Sequence, residues 1–107
     1  MLLALLALVT PAQAENFLTG QRLYEMLVDQ DPFLRAQASG YIAGIADANN
    51  GLGPTKLNWC FAVPNGASAK EAQATVLRYL DQNPSKRALG ASGLVEEALS
   101  KRYPCKK

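Results

Sequence analysis

The side chains that could support chemistry in this 107-residue chain are few, and their pattern argues against catalysis. There is no histidine, the most common general base and metal ligand, so nucleophile–histidine pairs are excluded. Nine acidic residues are present, but most stand beside Lys or Arg or at helix starts, and Glu96-Glu97 is interpreted as an exposed face. We therefore expect no enzyme. A hydrolase that uses carboxylates alone, or a Ser–Lys pair, is the enzymatic alternative.

No metal, cofactor or nucleic-acid site is expected either. The stretch Asp47-Ala48-Asn49-Asn50-Gly51 is similar to the opening of a calcium loop, but its glycine falls one position early and the closing acidic ligand is missing. No glycine-rich phosphate loop precedes a helix. The formal net charge of +2 is dispersed along the chain, which does not build a phosphate-binding face.

The N-terminus has the pattern of an export signal. An apolar run at residues 1–9 is followed by Pro11 and by Ala12-Gln13-Ala14, a small-x-small cleavage site. The run is too short for a membrane span of about 20 residues. We expect a signal peptide at residues 1–14, cleaved after Ala14, and a single helical domain at residues 15–107. Because no Lys or Arg precedes the run, a buried N-terminal helix is the alternative.

The two cysteines, Cys60 and Cys105, gain meaning from that export signal. In an oxidising compartment they can form only one disulfide bond. A covalent loop of this length would stabilise the fold by about 4 kcal/mol through restriction of the unfolded chain. A pair of buried free thiols is the alternative.

Clusters of helix-breaking residues divide the chain into four predicted helices. The expected fold class is therefore all-α, a compact bundle of about four helices with one disulfide between the central loop and the C-terminus. The start signals are Thr19, Asp31 followed by Pro32, and a capping box of Ser68 with Glu71. The predicted helices cover residues 19–29, 31–48, 68–83 and 91–102, with Asn49-Asn50-Gly51 ending the second.

Each predicted helix carries one apolar face, and these faces together form the predicted core. Their members are Leu23, Met26 and Leu27; Leu34, Ala38, Tyr41, Ile42 and Ile45; Ala72, Val76, Leu77 and Leu80; and Leu94, Val95, Ala98 and Leu99. Gly40 and Gly44 lie inside the second helix, where each costs about 1 kcal/mol relative to Ala. We expect them to permit close helix packing within the fold, with a homodimer contact as the alternative.

The segment Gly40-Tyr41-Ile42-Ala43-Gly44-Ile45-Ala46-Asp47 resembles the GYI-x-G-hydrophobic-x-D motif of the Rap/Tai group of type VI secretion immunity proteins. Further pieces follow in the order of that family. They are Cys60 with Pro64, then residues 76–80, 83–87, 91–95 and 98–99, and a final Tyr103-Pro104-Cys105. The ordered set covers nearly the whole predicted domain and carries the resemblance.

One departure from the family pattern concerns a second cysteine pair. Many relatives have one cysteine near the end of the first helix and another just before the GYI motif. Here Met26 or Leu27 and Ala38 occupy those places. Both members are missing together, as expected for loss of a whole disulfide. The first two helices would then be held by packing alone.

The resemblance implies a periplasmic helical protein, often dimeric, that binds a peptidoglycan-cleaving amidase delivered by a neighbouring cell and blocks its active site. In the family, the loop between the third and fourth helices is a favoured contact. That loop corresponds here to Gln82, Asn83, Ser85, Lys86 and Arg87. Arg87 is the preferred anchor, because its planar guanidinium makes directional hydrogen bonds and arginines are often hot spots. An ordinary solvated turn is the alternative for these residues.

A small periplasmic helical chaperone or stress protein is the second functional hypothesis, since such chaperones share the layout of a small helical fold with one disulfide. Chaperones of this class open in acid through protonation of carboxylates. Reversible dissociation and client binding in strong acid would favour the chaperone. A stoichiometric complex with one amidase that tolerates changes of pH would favour the immunity protein.

Overall fold

The computed structural model describes residues 17–52, 62–64 and 66–105, and this part of the chain is an all-α bundle. Its helices are α1 (Gly20–Val28), α2 (Pro32–Leu52), α3 (Ala69–Gln82) and α4 (Ala91–Arg102), with a 3₁₀ turn at Pro84–Lys86 between α3 and α4. The predicted all-α class and the order of the four helices are confirmed, whereas the disulfide stays a prediction. The predicted signal peptide and Cys60 lie outside the described residues. None of the described helices is both long enough and apolar enough to cross a membrane.

The predicted start signals act as caps. The Thr19 hydroxyl accepts a hydrogen bond from a first-turn N–H of α1 at 3.1 Å, and an Asp31 carboxylate oxygen does the same for α2 at 2.9 Å. Ser68 and Glu71 form the complete capping box of α3, with both reciprocal bonds at 3.1 Å. Each bond satisfies an N–H that the helix itself leaves without a partner. These local signals explain three of the four predicted starts, and the fourth predicted start, at Ala91, is also correct.

The predicted apolar faces meet in one hydrophobic cluster to which all four helices contribute. Most of the predicted residues are buried in it, while Tyr41, Ile45 and Leu77 pack at its edge. The cluster also includes residues that the periodicity did not select: Ala46, Tyr79, Ala91 and Tyr103. Met26, Leu27 and Ala38, the three residues at the places of the missing cysteines, are all buried in this cluster. Apolar packing thus holds α1 against α2 at these positions.

The predicted end of α2 is wrong. The helix continues through Asn49-Asn50-Gly51 to Leu52. Ile42, Ala46 and Asn49 share one helical face, because they are spaced by four and then three residues. All three are buried, and Asn49 is only 1% exposed. Tertiary packing of this face therefore outweighs the low helix propensity of the Asn-Asn-Gly sequence.

Candidate functional site

The connection between α3 and α4, which is the predicted contact loop, begins as a capped helix end. Gln82 is the last residue of α3, and Asn83 is its C-cap. The Asn83 side-chain amide donates to the carbonyl of Tyr79 at 2.8 Å, and its backbone N–H donates to the carbonyl of Leu80 at 3.3 Å. Both bonds satisfy carbonyls that a helix C-terminus leaves open. The loop therefore leaves α3 in one defined direction.

Arg87 holds this loop against two helices. Its Nε donates to the carbonyl of Leu80 at 2.7 Å, and its Nη2 donates to the carbonyl of Asp81 at 3.3 Å. The guanidinium carbon lies 3.8 Å from the centroid of the Tyr24 ring on α1, within cation–π range. The Tyr24 hydroxyl in turn donates to the Asp81 carboxylate at 3.0 Å. Tyr24, Asp81 and Arg87, the Arg87 cluster, thus join α1 and α3 to the loop.

The loop backbone also completes the first turn of α1. The N–H of Gly20 donates to the carbonyl of Leu89 at 2.8 Å, and the N–H of Gln21 donates to the carbonyl of Arg87 at 2.7 Å. These two N–H groups stand at a helix start and have no partner within the helix. The start of α1 and the α3–α4 loop therefore stabilise each other.

Gly20 permits this close approach, a role that the sequence alone does not predict. A Cβ at Gly20 would collide with the Leu94 side chain and would come within 3.2 Å of the backbone of Arg87. The position of Gly20 next to the Thr19 cap is the only sequence signal of this close approach. The approach itself involves Arg87 and Leu94, which lie far along the chain.

Lys86 is also committed to contacts within the chain. Its Nζ donates to a Glu97 carboxylate oxygen at 2.8 Å and to the Tyr79 hydroxyl at 3.1 Å. The hydrogen bond from Lys86 is the main reason that the pKa of Glu97 is lowered. The same bond is the first cause that raises the pKa of Lys86. The bridge links the loop to α4.

The interpretation of Glu96-Glu97 as an exposed face is wrong. The Glu97 side chain is only 17% exposed and is paired with Lys86. Glu96 is half-buried, and burial raises the pKa of its carboxyl group. The adjacent acids belong to the packed side of α4, because the loop and α2 cover that side.

The predicted contact residues therefore divide into two groups. Gln82 and Ser85 are exposed, whereas Asn83, Lys86 and Arg87 are half-buried and bonded within the chain. Three further exposed residues extend the outer surface of the loop, and one of them, Leu89, is an apolar side chain 57% exposed. We name this surface the loop crest; it consists of Gln82, Pro84, Ser85, Ala88 and Leu89.

The motif residues on α2 divide in a similar way. Tyr41 is half-buried against α4, where burial raises the pKa of its phenol and the Ser92 side chain opposes that shift. Gly40, Gly44 and Asp47 are exposed. A Cβ at either glycine would meet nothing within 4 Å. The packing expected of Tyr41 is present, but the close packing expected of the two glycines is not found among the described residues.

A groove of about 220 Å³ lies between α3 and α4. Its walls carry three cationic side chains and no acidic one. The lining residues are Thr75, Arg78, Tyr79, Gln82, Ala98, Lys101 and Arg102. We name it the basic groove, and it shares Gln82 with the loop crest. Over the described ranges, no group of three or more acids or cysteines is placed to hold a metal ion.

The C-terminal segment lies beside the chain that follows Cys60. The N–H of Ala62 donates to the carbonyl of Tyr103 at 3.0 Å. Ala62 is two residues after Cys60, and Tyr103 is two residues before Cys105. The two cysteines therefore flank a contact that is present in the described part of the chain.

The bundle, with its rigidly held loop and its exposed crest, has the features of a small helical binding protein. The sequence model of the Rap1a immunity proteins matches residues 19–105, which is most of the chain. The chain belongs to this family, and the resemblance to the Rap/Tai group is confirmed. No curated protein matches the chain. Family membership indicates an immunity protein, whose partner is a cognate secreted effector.

Proposed function

We propose that this protein is a periplasmic immunity protein that binds a type VI secreted peptidoglycan amidase and occludes its active site. The observation that carries the proposal is the match of residues 19–105 to the Rap1a immunity proteins. In this mechanism the protein performs no catalytic step. It excludes the cell-wall substrate by occupying the same cleft.

The geometry of the α3–α4 loop supports occlusion as the mechanism. A loop that is already ordered loses little conformational freedom on binding, which leaves more of the contact energy for affinity. Here Arg87 and Lys86 fix the loop from α1, α3 and α4, and the loop crest is left exposed. We assign the contact with the amidase to the crest, with Ser85 and Leu89 at its centre. Lys86 and Arg87 contribute by holding the crest in place.

The test is inhibition of a type VI secreted peptidoglycan amidase, taken from the gene next to this one if that gene encodes such an enzyme. The purified chain is titrated into that enzyme, and release of muropeptides is followed. We expect inhibition to saturate at one chain per active site. Unchanged enzyme activity at excess chain would contradict the proposal, as would muropeptide release by the chain alone. Client binding seen only in strong acid would instead favour the chaperone hypothesis.

Variants of the crest then locate the contact. Ser85→Trp and Leu89→Ala are expected to weaken inhibition and to leave the melting temperature unchanged, because both side chains are exposed. Lys70→Ala, an exposed change on the first turn of α3, is the matched control. Replacing Lys86 and Arg87 with Ala should also weaken binding, and a melting curve separates that effect from loss of the fold. Equal inhibition by both crest variants and the control would discard this assignment.

The proposal includes export, with residues 1–14 removed as a signal peptide after Ala14. It also includes a disulfide between Cys60 and Cys105. The Ala62–Tyr103 hydrogen bond supports that disulfide, since both cysteines lie two residues from it. N-terminal sequencing and mass spectrometry of periplasmic protein test both points. A retained N-terminus, or two reduced sulfurs, would contradict the respective assignment.

A homodimer is part of the proposal as well. The exposed Gly40 and Gly44 would let a second copy approach the backbone of α2 closely, because nothing in the described fold covers them. Light scattering across a range of protein concentrations measures the mass. A monomer at all concentrations would remove the dimer from the proposal.

A further inference from the structure

The basic groove concentrates positive charge from two different helices. Arg78 comes from α3, whereas Lys101 and Arg102 come from the last turn of α4. All three residues are exposed. Cations in a last helical turn interact favourably with the helix dipole, which accounts for the two residues on α4. That effect gives no reason for Arg78 of the neighbouring helix to face the same groove.

The described part of the chain does not neutralise these three cations. Its ion pairs are Arg22–Glu25 and Lys86–Glu97. Glu97 is close enough to Lys101 for the lysine charge to lower the pKa of the carboxyl group, but its hydrogen bond is made with Lys86. The groove therefore presents positive charge that an outside group can complement.

The remaining lining residues limit what that group can be. The Tyr79 ring and Ala98 add apolar surface, and Gln82 adds an exposed amide at the side of the loop crest. A volume of about 220 Å³ holds one or two side chains rather than a folded element. The planar guanidinium groups of the two arginines match carboxylates in a bidentate geometry.

We propose that the basic groove binds an acidic segment of the effector, whose Asp or Glu side chains enter between α3 and α4 while the loop crest occludes the active site. This inference rests on the proposed function. It adds that the effector surface bound by the groove is acidic. Because Gln82 belongs to both surfaces, one partner can cover them together. Attraction between the groove and an acidic surface also accelerates encounter at low salt.

The test uses the amidase from the inhibition assay as the probe. Affinity is measured by calorimetry at low and at physiological salt for the native chain, Arg78→Gln, Lys101→Gln and Lys70→Gln. Lys70 is an exposed cation of α3 that does not line the groove. Its change to Gln removes one positive charge, as each groove variant does, so it is the matched control. We expect each groove variant to bind about tenfold more weakly at low salt and to show a smaller salt dependence, with the Lys70 variant unchanged.

The possible failures are distinguishable. If the native chain binds the amidase and all three variants bind as it does, the groove assignment is overturned and the proposed function stands. If the native chain does not bind the amidase, both fall. Vesicles of phosphatidylglycerol provide a second probe. Loss of vesicle binding in the groove variants, with amidase binding unchanged, would assign the groove to an anionic membrane surface and would also overturn the inference. Melting curves confirm that each variant is folded.

Discussion

Glu96 and Glu97 are adjacent in the sequence, yet the fold shifts the pKa values of their carboxyl groups in opposite directions. The hydrogen bond from Lys86 lowers the pKa of Glu97, whereas burial raises the pKa of Glu96. Successive residues of a helix point about 100° apart, so neighbours can meet different surroundings. One side chain faces the loop and the other faces the half-buried region around Tyr41.

We predict that Glu97→Gln and Glu96→Gln change stability with opposite sign. The lowered pKa of Glu97 means that its contribution is present above the unfolded value of 4.5 and is lost as the pH falls through the folded value. Glu97→Gln should therefore lower the melting temperature at pH 7, and this deficit should shrink below about pH 4.

For Glu96 the sign is reversed. Its raised pKa means that the protonated form is favoured in the fold, so its contribution is lost as the pH rises through the folded value. Glu96→Gln should raise the melting temperature at pH 7 and match the native chain in acid. Melting curves from pH 3 to 8 make the comparison. If the melting temperatures of both variants change with pH just as that of the native chain does, the environments assigned to Glu96 and Glu97 are wrong.

The glycines allow a matched prediction about backbone space. Gly20→Ala should destabilise the fold by about 1–3 kcal/mol, because its Cβ meets the backbone of Arg87, which cannot move without breaking the loop contacts. Gly44→Ala should stabilise the monomeric fold by about 1 kcal/mol, since α2 has open space there within one chain and Ala is the better helix former. Urea unfolding measures both changes. A stabilising Gly20→Ala would show that the loop does not lie close to α1.

At the scale of the elements, the α3–α4 loop connects three helices. Arg87 bonds the last turn of α3 and stacks on α1, while Lys86 reaches α4. We predict that Arg87→Ala costs about 2 kcal/mol, because it leaves two helix-end carbonyls without their charged donor. Arg87→Lys should recover little, since an ammonium lacks the planar fork. Hydrogen exchange at the amides of Gly20 and Gln21 should accelerate in both variants.

Arg22→Ala is the control for this loss. Arg22 pairs with Glu25 at 3.5 Å, but both side chains are 50% exposed, so removal should cost no more than about 0.5 kcal/mol. If Arg22→Ala and Arg87→Ala destabilise equally, the loop is not held through the Arg87 cluster.

The element boundaries show where sequence reading succeeds. Thr19, Asp31 and Ser68 act on N–H groups two or three residues away, so their effect is readable from a short window. The predicted end of α2 is wrong because burial of Asn49 depends on other helices. A short window does not contain that information.

The candidate site follows the same rule. Its position in the α3–α4 loop could be predicted. The sequence did not predict which loop residues are exposed and which are bonded within the chain. Arg87 lies against Tyr24, and the Tyr24–Asp81 hydrogen bond joins residues 57 positions apart. The basic groove is likewise assembled from two helices, because Arg78 on α3 lies far in sequence from the adjacent Lys101 and Arg102 on α4. Long-range packing decides which charged side chains are available to a partner.

At the scale of the whole molecule, one core cluster unites the four helices, and the proposed disulfide would close a covalent loop around part of it. The chain between Cys60 and Cys105 contains α3, the contact loop and α4, whereas α1 and α2 precede it. The Ala62–Tyr103 hydrogen bond closes nearly the same loop without a covalent bond. The helices therefore have a hydrogen-bonded native contact beside the position of the proposed disulfide.

We predict that Cys60→Ser combined with Cys105→Ser lowers the free energy of unfolding by about 4 kcal/mol, because the unfolded chain regains the freedom that the disulfide removes. The folded contacts are kept, so inhibition of the amidase at low temperature should be unchanged. Dithiothreitol should lower the urea midpoint of the native chain to that of the double variant and should not affect the variant itself. A native midpoint that does not respond to dithiothreitol would establish the alternative of two free thiols. The rigidity of the loop crest would then depend only on Lys86, Arg87 and the apolar core.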